Sequence, residues 1–248
     1  MTGPFFAALR FLTIIPVPEN WTGGEKGLEK CLPYFPVIGL LIGIAAALLD
    51  SALTGVLPPL PAAVLTVAFL IGISGGFHMD GLADTMDGFL SSRPRERILE
   101  IMKDSCTGAM GTVAISLVIL LKVSLLFSLP SGARWNAILL MPLAGRAAMI
   151  AMMVLLPYAR SGNGIAAVFG KHSRLHAVWA AFVLFAAGWM LAGWTAIAAG
   201  LITIVTAAIF MRWSFLKIGG YTGDTLGAAG EITEAVLPLV FLISACNR

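Results

Sequence analysis

Three aspartates, Asp80, Asp84 and Asp87, stand four and then three residues apart in the run FHMDGLADTMDGFLSSRPRERILEIMKD, residues 77–104. On a helix this spacing stacks the three carboxylates on one face. Like charges held so close repel, and the arrangement is costly unless a cation sits among them. A hard divalent ion bound through carboxylate oxygens meets that need. Mg2+ typically takes one or two carboxylates together with substrate phosphates. The plain alternative is a solvated acidic helix face. The cluster abuts an apolar span, where ionisable groups are functional by default, and this favours the metal. Gly81 and Gly88, each directly after an Asp, leave room for a bulky ligand against the backbone. His78 is a candidate proton carrier or a hydrogen-bonding support for the metal ligands, or simply an interfacial histidine ending a span. Asp104 closes the stretch as a further carboxylate for the metal, and Lys103 beside it is a candidate phosphate contact. The segment SSRPRER reads as a basic run that starts a helix at Pro94.

A second polar stretch, KIGGYTGDTLGAAGEITE at 217–234, pairs backbone N–H groups freed by glycines, Gly223 among them, with the hydroxyls of Thr222 and Thr225. A helix starting around Thr225 points its positive end at a phosphate. Asp224 adds a carboxylate that could reach the same metal. A flexible Gly-rich connector with an Asp or Thr cap is the alternative here. A third loop, Tyr158–Arg160 with Ser161–Gly164, contributes the cation Arg160 and a turn. His172 and His176 have no carboxylate between them, make no zinc-protease motif, and are assigned to the interface.

The elements that must position these groups are membrane helices. The 248 residues are 58% hydrophobic and 12% charged, with a mean hydropathy of +0.92, whereas soluble domains carry about 25% charged residues. Apolar runs imply an all-α, polytopic membrane bundle forming one domain, with spans near 33–57, 61–77, 106–128, 134–156, 175–192, 195–215 and 228–246. The fifth and sixth are split at Gly193, and the seventh, which opens on Glu231 and Glu234, is expected to insert only in part. Residues 1–31 form an interfacial segment. Its apolar stretch Phe5–Ile15 ends at Pro16 and Pro18 and lacks a cleavage site, so it is not read as a signal peptide. Segments 77–105 and 217–230 are the two functional loops. With the N-terminus in the cytoplasm, Arg10, Lys26, Lys30, Arg93, Arg95, Arg97, Lys103, Arg160, Lys171, Arg174, Arg212 and Lys217 fall inside, and only Arg134 and Arg248 outside. Within the spans, Asp50 and Lys122 lie at similar depth and are expected to pair. Arg146, with no partner at its depth, is assigned to phosphate. The net charge of +3 gives no reason to invoke nucleic acid. Three distant cysteines support neither a zinc site nor a disulfide framework. The oligomeric state is not fixed, and a homo-oligomer is compatible with the sequence.

HMDGLADTMDG followed by RERILEIMKDSCTGAMG closely resembles the cobalamin synthase family, the adenosylcobinamide-GDP ribazoletransferases. RFLTIIPVP near the N-terminus, Gly145–Arg146, Tyr158–Ala159–Arg160 and GGYTGDTLGA are similar to the same family. Cys106 stands where the resemblance leads one to expect a basic residue, which leaves Lys103 as the neighbouring cation. The resemblance implies an Mg2+-dependent enzyme of the cytoplasmic membrane that completes the B12 nucleotide loop. A hydroxyl of α-ribazole, free or as its 5′-phosphate, attacks the phosphate attached to adenosylcobinamide, and GMP leaves. Charge neutralisation matters most in such a displacement. Asp80, Asp84, Asp87 and Asp224 or Asp104 are then the metal ligands, and Arg146 or Lys103 faces the developing charge. His78 or a spare carboxylate (Asp84 or Asp104) takes the hydroxyl proton. A CDP-alcohol phosphotransferase is the nearest rival, but its motif needs an Ala-Arg pair after the first Asp-Gly, which DGLADTMDG lacks. A cation-coupled transporter would place its carboxylates near the midplane of paired repeats, and no internal repeat is present.

Overall fold

The computed structural model describes residues 2–160 and 173–247. Ser161–Gly164, Lys171, His172 and Arg248 lie outside the described residues. The chain runs through α1 (Gly3–Leu12), α2 (Glu19–Thr22), α3 (Gly24–Glu29), a short 3-10 turn at Leu32–Tyr34, α4 (Phe35–Thr54), α5 (Pro59–Ile73) and α6 (Phe77–Phe89). It continues with α7 (Arg95–Ile101), α8 (Ala109–Ser128), α9 (Ser131–Leu155), α10 (Arg174–Ala192), α11 (Trp194–Ile218) and α12 (Gly223–Cys246). Among the described residues there is no strand, only an isolated bridge between Tyr158 and Tyr221.

Prolines set several helix starts. Pro59 opens α5, while Pro94 and Pro130 stand immediately before α7 and α9, where a missing N–H costs nothing and the fixed φ suits the helix. The split at Gly193 is borne out: its φ of 55° turns the chain between α10 and α11, a conformation glycine adopts without strain. The amphipathic N-terminal helix stops at Leu12 rather than reaching Ile15, because Thr13 is already extended.

Six helices, α4 (with its preceding turn), α8, α9, α10, α11 and α12, are long and apolar enough to cross a membrane. α5 and α6 reach that standard only together, and an 87° bend separates them. α12, where only partial insertion was expected, runs 24 residues without a break and is long and apolar enough to cross. Its two glutamates are neutralised inside the bundle rather than held at the surface. Leu117, Leu120, Phe182, Met190 and Ile209 turn outward from α8, α10 and α11, a face suited to lipid.

α9 is the buried spine, packed on α4, α10 and α12. A Cβ on Gly43 would stand 2.0 Å from the Leu139 carbonyl oxygen, so only glycine lets α4 approach α9 this closely. The buried charges pair differently from the expectation. Asp50 meets Arg134, not Lys122: the guanidinium grips both carboxylate oxygens, and Thr66 donates to Oδ1 at 2.8 Å. Arg134 therefore leaves the outer loop and enters the first turn of α9 as a buried residue. Lys122 bonds Glu231 at 2.6 Å and Glu234 at 2.9 Å, and Glu234 also holds Arg146. Two cations and two anions from α8, α9 and α12 thus close a buried network.

Candidate active site

α6 lies across the starts of two long helices. Its Gly81 faces the Asp224 backbone in the first turn of α12, where a Cβ would stand 2.7 Å from the carbonyl oxygen. The same construction at Gly111, in the first turn of α8, meets Asp87 and the Ala83 backbone. The 87° bend after α5 makes this crossing, and it sets the aspartate face of α6 at the helix ends instead of within the apolar layer. The expectation that Gly81 and Gly88 make room for a ligand is corrected. Gly81 admits α12, and Gly88 packs on Ile98 and Met102 at α7.

The structure brings Asp80, Asp84, Asp87 and Asp224 together. Asp84 is half-buried and senses the negative charges of Asp80, Asp224 and Asp87, opposed by the guanidinium of Arg160. Asp80 is exposed. Asp87 accepts N–H bonds from Gly108 at 2.7 Å and Gly111 at 2.8 Å, so it caps α8, which has no side-chain cap of its own. A carboxylate there answers both the orphan donors and the positive helix end. Asp224 receives Arg160 Nη2 at 2.8 Å and the Thr222 hydroxyl at 3.3 Å. All four groups are hard oxygen donors. Among the described residues, no three His, Cys, Asp or Glu side chains already converge on one ion position.

Thr222 and Gly223 occupy the start of α12, two to three residues earlier than anticipated. Thr222 is the N-cap and accepts from the Thr225 N–H, while Thr225 returns a bond to the Thr222 N–H. The loop before it is tied to the 157–160 loop: Ala159 N–H bonds Tyr221 O at 2.8 Å, and Tyr221 N–H bonds Pro157 O at 2.9 Å. The Tyr158 and Tyr221 rings meet edge to face at 5.5 Å, and burial pushes the Tyr221 phenol up to about 12. Arg95, read from sequence only as part of a basic run, joins all three loops. Its Nε donates to Ile218 O at 2.7 Å and its Nη2 to Ala159 O at 2.9 Å. No local pattern signals bonds spanning so many residues.

The remaining candidates separate. Lys103 and Asp104 are exposed in the turn after α7, where Asp104 accepts the Cys106 N–H at 3.1 Å. Arg146 is 2% exposed and its Nη1 meets Glu234 of α12, the partner that its depth along the chain did not reveal. His78 is buried beside α12, where a Cβ on Gly227 would lie 3.0 Å from its backbone. At 3.6 residues per turn it sits on the far side of α6 from Asp80 and Asp87. The charges it senses are those of Arg146, Glu234 and Lys122. His176 belongs to the cap of α10, its Nδ1 accepting the Ser173 N–H.

A family model described as cobalamin-5-phosphate synthase matches residues 4–242. The adenosylcobinamide-GDP ribazoletransferase of Geotalea daltonii is 35% identical over 245 residues, 98% of each chain. That of Desulforamulus reducens is 38% identical over 238 residues, 95% of this chain and 94% of the relative. That of Clostridium novyi is 37% identical over 236 residues, 94% of each. No solved structure matches this chain.

Proposed function

The chain belongs to the cobalamin-5-phosphate synthase family, and from that premise we propose that it joins adenosylcobinamide-GDP to α-ribazole or its 5′-phosphate at the cytoplasmic face of the inner membrane. The observation that carries the reading is the aspartate face of α6 laid against the first turn of α12, with Arg160 at its edge. An acceptor hydroxyl forms a new bond to the cobinamide-linked phosphorus. The bond to the bridging oxygen breaks, GMP departs with its electron pair, and the hydroxyl proton passes to a base.

The donor set fits Mg2+: four carboxylates, no thiolate or imidazole, and mutual repulsion that a cation relieves. Asp80, Asp84 and Asp224 would hold it, with Asp87 kept in place by the α8 amides. When bound, the ion would neutralise charge on the diphosphate oxygens. In this reading the proton goes to an Asp84 oxygen not engaged by the ion, Asp84 being half-buried at the centre of the cluster. His78 faces the wrong way for that role. Arg160 orients Asp224 and presents the rest of its guanidinium to an incoming anion. The excess of Lys and Arg on the loops carrying the site supports a cytoplasmic placement.

The test mixes purified protein, Mg2+, adenosylcobinamide-GDP and α-ribazole and follows GMP. Asp84→Asn should lower the rate roughly 10²- to 10³-fold, the scale for removing a principal charge-stabilising group. Absence of GMP from the wild-type reaction would remove the reading.

A further inference from the structure

Beside the carboxylates lies a second, oppositely charged feature. A cavity of about 290 Å³ is lined by Arg95, Glu96, Leu99, Glu100, Lys103 and the 159–160 turn. Three cations border it. Arg95 uses Nε and one terminal nitrogen on the Ile218 and Ala159 carbonyls, and its other terminal nitrogen makes no hydrogen bond among the described residues. Arg160 spends Nη2 on Asp224 and the Met102 carbonyl, while its Nε is buried with no partner among the described residues. Lys103 is exposed, and its ammonium makes no hydrogen bond or ion pair among the described residues. Of the two acids on the wall, Glu100 is answered by Arg97 at 2.7 Å. The balance on this wall is therefore positive, and two of its cations are planar forks suited to phosphate oxygens.

We propose that this cavity is a phosphate-monoester subsite and that it holds the 5′-phosphate of the nucleotide released in the transfer. Arg160 belongs to both features: its Nη2 holds Asp224 of the carboxylate cluster, and the residue also lines the cavity. A diphosphate laid across Arg160 would put one phosphorus beside the carboxylates and the other in the cavity, the separation that breaking its bridge requires. The choice of a guanine nucleotide rests on the proposed transfer; the affinity for a phosphate monoester does not. A phosphorylated acceptor offers the same chemistry, and the experiment separates the two sources.

Equilibrium dialysis of the detergent-solubilised full chain would compare GMP, guanosine and α-ribazole 5′-phosphate. GMP should bind and guanosine should not. Lys103→Met should weaken GMP binding about tenfold, the loss of one charge-assisted contact. Lys26→Met, which removes an equal charge from α3, outside the cavity, should leave binding within twofold. If Lys103→Met weakens α-ribazole 5′-phosphate alone, the subsite stands and its ligand is the acceptor. GMP binding no tighter than guanosine, or equal losses in the two variants, overturns the proposal. Binding of GMP without any transfer would overturn the reaction and leave the subsite standing.

Discussion

At the scale of single residues, the same side-chain type has different chemistry according to where the fold puts it. Cys31 is wholly buried just before the 3-10 turn, and burial pushes its thiol up to about 12. Cys106 and Cys246 are exposed. Because the thiolate is the reactive form, a maleimide at pH 8 should modify Cys106 and Cys246 of the folded protein within minutes, and Cys31 only after denaturation. Mass spectrometry of the labelled peptides reads the outcome, and early labelling of Cys31 would contradict the packing of α1 against the turn. The aspartates divide in the same manner. Asp87 spends an N–H bond on each oxygen, Asp224 answers Arg160, and Asp80 meets water. Spacing in the sequence made the three on α6 look equivalent. Their different partners come from α8 and α12, which spacing cannot show.

Between elements, the buried network of Lys122, Arg146, Glu231 and Glu234 fixes α12 against α8 and α9. α12 in turn presents Asp224 to α6, so the network stands behind the site. Removing one partner of a buried ion set leaves an uncompensated charge and costs roughly 3–5 kcal/mol, whereas removing charge in balance costs much less. Lys122→Met should therefore lower the unfolding temperature of the solubilised protein sharply, and the Lys122→Met/Glu231→Gln double variant should recover most of the loss. A double variant no more stable than the single would show that the network is not coupled in this way. The spans themselves were legible, because about twenty apolar residues announce a crossing whatever surrounds it. Which helices touch was not. Depth along a helix suggested Asp50 with Lys122, but pairing also depends on azimuth and neighbour order, and these placed Arg134 beside Asp50. The glycines were misread for a related reason. A residue with no side chain gives no hint whether a ligand or another helix, here α12 at Gly81, takes the space.

For the whole molecule, the pairing of Arg134 with Asp50 bears on orientation. A cation locked in a buried pair no longer counts as an exposed outer charge, so among the described residues the excess of free Lys and Arg lies still more on the face carrying the α6–α7 and α11–α12 connections. Counted as one crossing, the bent α5–α6 pair brings the six spanning helices to an odd number, which would set the two ends of the described chain on opposite sides of the membrane. With the cytoplasmic placement proposed above, the positive-inside rule predicts Cys106 inside with the carboxylates and Cys246 on the outer face. A membrane-impermeant thiol reagent applied to cells with a permeable outer layer should label Cys246 in a Cys106→Ser variant. The same reagent should label Cys106 in a Cys246→Ser variant only after the inner membrane is opened. Labelling of Cys106 in sealed cells would invert the molecule and turn the carboxylate cluster away from the cytoplasm. The polar, nucleotide-linked donor proposed above could not then reach it from the cytoplasm.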